Sequence, residues 1–404
     1  LVNGAYWDSK IKRAQVDGQS DYPVFTRKAH PDLSYLVCAG RLLAAADAIF
    51  PQFATHNAHT LAAVVQMARA QGRSDCEFQC LHGMGESLYD AVVGDGELSC
   101  RIYAPVGPHA TLLPYLVRRL LENGANTSFV HRIVDPAVPV AELLEPPPMA
   151  IARQGGGRHP AIPLPRDLYG PGRVNSAGFD LADHQTATAL VDELARLAAW
   201  QWRAQPLVAG DAGRSSATEP LVRAVCNPAR SDDRVGSVVG TTAQQVEQAL
   251  AAAAEQAPAW RRTPPAERAA ALLRAADLLE AQRLPLLSLL IREAGKTWAN
   301  AVAEVREAVD FCRYYAGQVA DGDFQGSAAA LGPVLCISPW NFPLAIFLGQ
   351  ISAALAAGNT VIAKPAEQTP LVAFLAVQLL HRAGIPLPAL QFLPGPGATI
   401  GAAL

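Results

Sequence analysis

Tyr115, Arg118, Arg119 and Glu122 fall at i, i+3, i+4 and i+7 of one helical run, so all four share a stripe. Two guanidinium forks and one carboxylate on a stripe can grip an amino-acid zwitterion: the forks take the carboxylate in bidentate fashion and the acid accepts from the ammonium. The same four residues also describe a solvated helix face whose charges pair locally, which is commoner and worth little energy. Residue types alone leave both readings open.

A second group lies near the other end of the chain. ISPWNFP, from Ile337 to Pro343, and KPAEQTP, from Lys364 to Pro370, each close a strand-like run. Taken singly, SPWNFP is turn chemistry and Lys364 with Glu367 is a surface ion pair. Cys336 precedes this group mid-strand with no adjacent base, so a buried thiol is the better reading than a nucleophile.

Chemistry of this kind needs elements to hold it. From Leu1 to about Asp135, β-like runs (LVNGAYW, PVFTRKA, QFATHN, CEFQCLHG, RIYAPVG) alternate with helical runs. Strand-then-helix repetition implies a parallel sheet, because parallel neighbours need crossover connections. Site residues in such folds gather where strands end, which singles out Tyr6-Trp7-Asp8, Thr26-Arg27-Lys28, Thr55-His56-Asn57, His82 and Tyr103. Residues 136–183 are rich in Pro and Gly without a sustained period and read as a linker. Helical patterns resume at about His184. Thr242 is placed to cap the helix over Thr241 to Glu255, with Gln245 three residues on. The last 70 or so residues alternate strand and helix as in a doubly wound sheet. Three domains are thus expected: 1–135, 136–183 and 184–404. The first residue already lies in a strand and the last in a newly begun helix, so the chain reads as an internal fragment.

Composition narrows the function class. Half the residues are hydrophobic and 17% are charged, with a formal net charge of -3, which suits covered α/β domains and offers no basic face for nucleic acid. Seven cysteines without a CxxC pair speak against a disulfide framework or a zinc site and for a reducing cytosol; all seven are expected as small buried residues. No charged-then-apolar leader opens the chain. The apolar run Phe342 to Ala363 is interrupted by Gln350, Ser352 and Asn359, which favours a buried helix and strand over a membrane span.

GAYWDSKIKRAQ, YPVFTRKAHPDLSYL, QFATHNAHT, FQCLHGMGE, RIYAPVG and YLVRRLLENGANTSFV closely resemble the second half of the proline dehydrogenase barrel in the bifunctional proline utilization A family. From about Glu219 to Leu404, NPARSDDRVGSV, LIREAGKTWANAVAEVREAVDFCRYYA, PWNFP and KPAEQTP resemble aldehyde dehydrogenases. The resemblance implies an α/β fold, the C-terminal half of a (β/α)8 barrel followed by the N-terminal, NAD-binding part of an aldehyde dehydrogenase. It implies an FAD-dependent oxidation of L-proline to 1-pyrroline-5-carboxylate, then an NAD-dependent oxidation of glutamate semialdehyde to glutamate.

Carried over residue by residue, Arg118, Arg119 and Glu122 become the clamp for proline, and Tyr6, Leu81, Tyr103 and Tyr115 the pocket wall. Gly4, Ala5, Trp7, Thr26, Lys28, Thr55, His56, Asn57 and Gln79 match flavin-contacting segments. Asn341 matches the amide that serves a catalytic oxyanion. Lys364 and Glu367 match the ribose-holding pair of NAD, Ile337, Pro339 and Trp340 the cofactor wall, and Gly395 and Gly397 the glycine-rich turn beyond the next strand. The family nucleophile, a Cys, and its Glu base fall beyond Leu404, and the opening barrel strands are absent, so the fragment alone is expected to be inactive. Asn3 stands where the family usually has Lys before GAYW, which puts redox tuning in question. The family further implies a membrane quinone as electron acceptor, a homo-oligomer at full length, and a cytoplasmic protein that touches the inner membrane peripherally. Two other readings compete: an aldehyde dehydrogenase carrying a degenerate barrel, and a proline-responsive DNA-binding regulator whose DNA-binding segment is not in this stretch.

Overall fold

A computed structural model describes the chain apart from residues 4–6, 46, 94–98, 124–127, 211–220, 321–328 and 404. It divides into two compact units, residues 1–12 with 22–162, and residues 13–21 with 163–404.

In the first unit β1 (Gln52–Ala54), β2 (Glu77–Leu81) and β3 (Ser99–Tyr103) form a parallel sheet in sequential order. Val2 adds an isolated parallel bridge to Ala54. The helices are α1 (Trp7–Val16), α2 (Ala29–Ala44), α3 (Ala58–Ala70), α4 (Glu86–Val93), α5 (His109–Asn123), α6 (Phe129–Val134), α7 (Val140–Leu143) and α8 (Pro147–Gln154). The last two lie in the Pro-rich stretch, where Pro146 and Pro147 open α8 because a first-turn proline forfeits no hydrogen bond. Alternation along the strands sets two faces. Phe53, Phe78 and Cys80 point into a core with Tyr35, Ala39 and Leu43 of α2 and Leu61, Val64 and Ala68 of α3. The opposite face carries the polar residues described below.

One expected strand is not there. PVFTRKA has no ladder partner; Tyr22 to Lys28 runs as bends into α2. Pro23 lacks an N–H, and the polar groups are satisfied one by one instead: Thr26 Oγ1 accepts from the His159 amide at 2.9 Å and Arg27 Nε donates to the Gly157 carbonyl at 2.9 Å.

The second unit holds a mixed sheet, in which β6 (Arg230–Val239) lies between β4 (Trp202–Ala204), parallel to it, and β5 (Val222–Asn227), antiparallel. Its second sheet is parallel and sequential: β7 (Pro333–Ile337), β8 (Thr360–Lys364) and β9 (Leu390–Phe392). The helices are α9 (His184–Ala198), α10 (Ala243–Arg262), α11 (Pro265–Ala281), α12 (Arg283–Arg292), α13 (Trp298–Ala320), α14 (Ala345–Ala356), α15 (Pro370–Arg382) and α16 (Gly397–Ala403). Thr242 and Gln245 form a complete capping box on α10, satisfying donors the first turn would otherwise leave open. The chain between Leu286 and Tyr315, amphipathic throughout, forms two helices, α12 and α13, because Gly295 takes φ +68° between them.

β8 is buried along its whole length, as a parallel strand between two helical layers must be. Val361 and Ala363 face Leu355 of α14 and Val377 and Leu380 of α15; Ile362 faces Val246, Ala249 and Ala253 of α10. The apolar run that ends at Ala363 is therefore α14 followed by β8, and among the described residues no helix is long and apolar enough to cross a membrane.

Asp233 of β6 and Arg292 of α12, both nearly buried, pair at 2.6 Å, and Asn227 donates to the same carboxylate at 3.0 Å. Arg292 beside Asp233 holds its carboxyl down at about 2, against an ordinary 3.8. A carboxyl lowered by folding contributes stability above its unfolded value and loses it as pH falls toward its folded value. Asp233→Asn should therefore cost about 2 kcal/mol at neutral pH, and the gap should close between about pH 4 and pH 2. Thermal unfolding of mutant and parent across that range checks it; a gap independent of pH would refute the pairing energetics.

Candidate functional site

Register brings the first set of residues together. Leu81 lies opposite Tyr103, and Gln79 opposite both Ala54 and Arg101, so these side chains leave the face of the sheet away from α2 and α3. At the foot of this face the Glu77 carboxylate is enclosed by Arg101 (2.8 Å), Gln52 (3.1 Å) and Gln79 (3.3 Å), and Arg101 holds it below the usual carboxylate range. Arg101 and Glu77 were not singled out from the sequence, although Glu77, Gln79 and Leu81 share one period-two face.

At the end of β1, Thr55 Oγ1 accepts from the Asn57 amide (3.2 Å), and Asn57 Oδ1 caps α3 by accepting from His59 and Thr60 (2.9 and 3.3 Å). His56 Nε2 accepts from the Leu81 amide at 3.1 Å, which leaves Nδ1 to carry the proton. Burial, and then the positive charge of Arg119, lower the imidazole below its ordinary value, so His56 is neutral at pH 7. Arg119 itself lies over the Tyr115 ring, 5.2 Å from its centroid. α5 thus brings Arg119 and Tyr115 towards the end of β1, whereas Arg118 is exposed. Leu113, Leu116 and Leu120, a second stripe of the same helix that an apolar pattern would turn toward a core, are exposed as well.

The remaining members of this set are dispersed. Trp7 Nε1 donates to the Phe25 carbonyl at 2.7 Å, Thr26 is bound to His159 as above, and Lys28 starts α2 and pairs with Asp32. Gly4, Ala5 and Tyr6 lie outside the described residues, as does the side chain of Glu122. The donors at the strand ends, neutral His56 Nδ1–H and cationic Arg119, suit an acceptor-rich anionic cofactor such as FAD.

In the second unit the residues expected to bind a dinucleotide all lie at or just beyond the carboxyl ends of β7, β8 and β9, where open α/β sheets bind ligands. Ile337, Trp340 and Asn341 are exposed there and Pro339 is half-buried. Lys364 is buried, with Nζ donating to the Pro365 carbonyl at 3.1 Å; burial lowers its ammonium and the nearby Glu367 carboxylate opposes that. One of three N–H groups is so occupied, which leaves a buried cation fit to donate to hydroxyls. Arg223 donates to the Glu367 carbonyl. Between these residues Ser338 Oγ is buried with no hydrogen-bond partner among the described residues, although Ser338 N–H donates to Lys364 O at 3.3 Å. Its neighbours Ile337 and Pro339 stand out in the sequence, whereas a serine between them carries no signal of its own. At Gly395, which takes φ +156°, a Cβ would stand a tight 3.0 Å from the Ile400 side chain, while the space around Gly397 is open. An orphaned hydroxyl, a buried ammonium and an open glycine turn at one edge of a parallel sheet fit a dinucleotide.

Cysteines divide otherwise than expected. Cys76, Cys80, Cys312 and Cys336 are buried, Cys38 and Cys100 are partly so, and Cys226, on the outer strand β5, is exposed. Burial pushes Cys336 up to about 11 and Cys312 up to about 12, so neither forms thiolate at neutral pH. Iodoacetamide at pH 8 followed by peptide mass spectrometry should leave both unmodified in the native protein; prompt alkylation of Cys336 would contradict its burial.

Each unit thus carries a parallel three-stranded sheet whose strands end in the polar residues described above. Residues 1–132 match the proline dehydrogenase family and residues 215–404 the aldehyde dehydrogenase family. The chain belongs to the bifunctional proline utilization A (PutA) family. Over its whole length it is 57% identical to the bifunctional protein PutA of Escherichia coli (strain K12), of which it spans 31%. A 1-pyrroline-5-carboxylate dehydrogenase of Bacillus cytotoxicus is 35% identical over 55% of this chain and 45% of its own length. The crystal structure of a Bradyrhizobium japonicum proline utilization A variant superposes with a TM-score of 0.82 at 47% identity, covering 100% of this chain and 39% of that one. The chain thus spans about a third of the length of its bifunctional relatives.

Proposed function

We propose that this chain carries part of two active sites of a proline-degrading enzyme. At the first, L-proline loses two electrons and two protons to become 1-pyrroline-5-carboxylate. Water opens that ring to glutamate semialdehyde, which the second site oxidises to glutamate. The observation that carries the reading is a match at 57% identity that covers the whole chain and so both units. When bound, FAD would be the two-electron acceptor at the first site and NAD at the second, with a membrane quinone as the flavin's oxidant.

The chain's own residues have separable tasks. Arg119, with Arg118, neutralises the proline carboxylate, and Glu122 accepts from its amine. Tyr115, Tyr103, Leu81 and Tyr6 wall the ring. Gly4, Ala5, Trp7, Thr26, Lys28, Thr55, neutral His56, Asn57 and Gln79 hold the flavin. Asn341 donates its side-chain amide to the oxyanion that forms when a thiol adds to the aldehyde, charge present only after the addition begins. Lys364 and Glu367 hold the adenosine ribose of NAD, Ile337, Pro339 and Trp340 its wall, and Gly395 and Gly397 the turn beyond β9.

The test uses the intact protein that contains this chain. Added anaerobically, proline should bleach the bound flavin, and in air with an electron acceptor it should drive NADH formation from NAD without added semialdehyde. A protein that holds no flavin but oxidises semialdehyde would favour the degenerate-barrel reading.

A further inference from the structure

Two buried carboxylates in the second unit have no part in the chemistry above. Glu304 of α13 is 1% exposed, and its Oε1 accepts from the backbone amides of Leu344 (2.9 Å) and Ala345 (3.3 Å), the first amides of α14. Its Oε2 is 2.6 Å from Lys296 Nζ, and the same ammonium lies over the Phe342 ring, 4.4 Å from its centroid. Glu293, 4% exposed, does the same for α15, accepting from Leu371 (2.7 Å) and Val372 (2.9 Å). Each crossover helix that follows β7 and β8 therefore has its positive end occupied by an internal acid.

The Glu304 device is aimed at one place. The segment it fixes, Phe342-Pro343-Leu344-Ala345, directly follows Asn341: the carboxylate ties down Leu344 and Ala345 while Lys296 covers Phe342. Asn341 is exposed in this turn and its side chain makes no hydrogen bond among the described residues, so its direction is inherited from the anchored residues that follow. A capping acid supplied by the same turn would serve helix stability equally well. A buried acid of α13, paired with Lys296 from the segment between α12 and α13, holds Leu344 and Ala345 while the cation contacts Phe342, and so fixes the orientation of the turn. We propose that Glu304, clamped by Lys296, is a positioning residue for Asn341, setting the direction of its amide toward the oxyanion. This rests on the role given to Asn341 above.

The experiment is a double-mutant cycle in the intact protein. Glu304→Gln keeps the size and one acceptor but sets an amide against the Lys296 ammonium. Alone it should lower kcat for semialdehyde oxidation by roughly 10- to 100-fold, the cost of a misdirected group. The NAD dissociation constant, read by titration, should stay within about twofold, and in an Asn341→Ala background the further loss should be less than about threefold. Hydrogen exchange at Leu344 and Ala345 should speed up in both backgrounds. Lys296→Met, which leaves the two amide bonds in place, should show the same pattern with a smaller loss should the first variant fold poorly. Losses that multiply in the double mutant would overturn the inference, as would an unchanged kcat with faster exchange. A parent protein without NAD-dependent semialdehyde oxidation would sink the functional reading along with it.

Discussion

Replacing Arg119 with Ala in the intact protein is expected to lower kcat/KM for proline by roughly 10²-fold, while NAD-dependent semialdehyde oxidation stays at the parent level. A charge-assisted hydrogen bond contributes about 1.5–3 kcal/mol, and each 1.4 kcal/mol is about tenfold. The expectation is larger for Arg119 than for Arg118. Arg119 is partly enclosed, lies against the Tyr115 ring, and is close enough to His56 to depress its imidazole, whereas Arg118 is exposed. Lys is not an adequate substitute for a planar fork at a bidentate site, so Arg119→Lys should recover little. Dye-coupled proline oxidation measures both variants. Parent-level kcat/KM for Arg119→Ala would leave the two arginines as a solvated helix face.

Asn341→Ala is expected to cost about 10²–10³-fold in kcat for semialdehyde oxidation, the usual loss for one oxyanion donor. NAD affinity should hardly change, because the nucleotide is proposed to be held by Lys364 and the β9 turn rather than by Asn341. Asn341→Asp should fare no better, since a carboxylate there repels the charge it must stabilise. Pre-steady-state NADH formation and NAD titration separate the two effects. A rise in KM for NAD with kcat unchanged would make Asn341 a wall of the cofactor site.

The second unit was the more legible in sequence. Its strands and helices carry their own local signals: the Thr242–Gln245 capping box, Gly358 and Gly384 after helices, and the apolar stretches that became α14 and β8. Short-range chemistry of this kind is written in neighbouring letters. The first unit was harder. PVFTRKA has strand composition, yet a strand needs a ladder, and here side chains and distant amides satisfy the backbone one group at a time. Thr55, His56, Asn57, His82 and Tyr103 do lie at strand ends, because position in a βα repeat marks them, whereas Thr26-Arg27-Lys28 end no strand.

Glu304, Glu293 and Lys296 were missed because their partners are remote: Glu304 reaches 40 residues ahead and Glu293 reaches 78. One signal was present. Glu304 falls on the buried stripe of α13 with Ala301, Val305 and Ala308, and an acid on an apolar stripe must find donors somewhere. Which donors, only the fold decides. Cys226 was misread for a similar reason, since nothing in VCN says that β5 would be an outer strand.

The most direct measurement is a crystal structure of the intact protein with proline bound in its flavin-free or reduced form. The carboxylate of the ligand should lie within hydrogen-bond distance of Arg118 and Arg119, with its ring against Tyr103, Tyr115 and Leu81. Finding both guanidinium groups turned to bulk water, with the ligand elsewhere, would contradict the account.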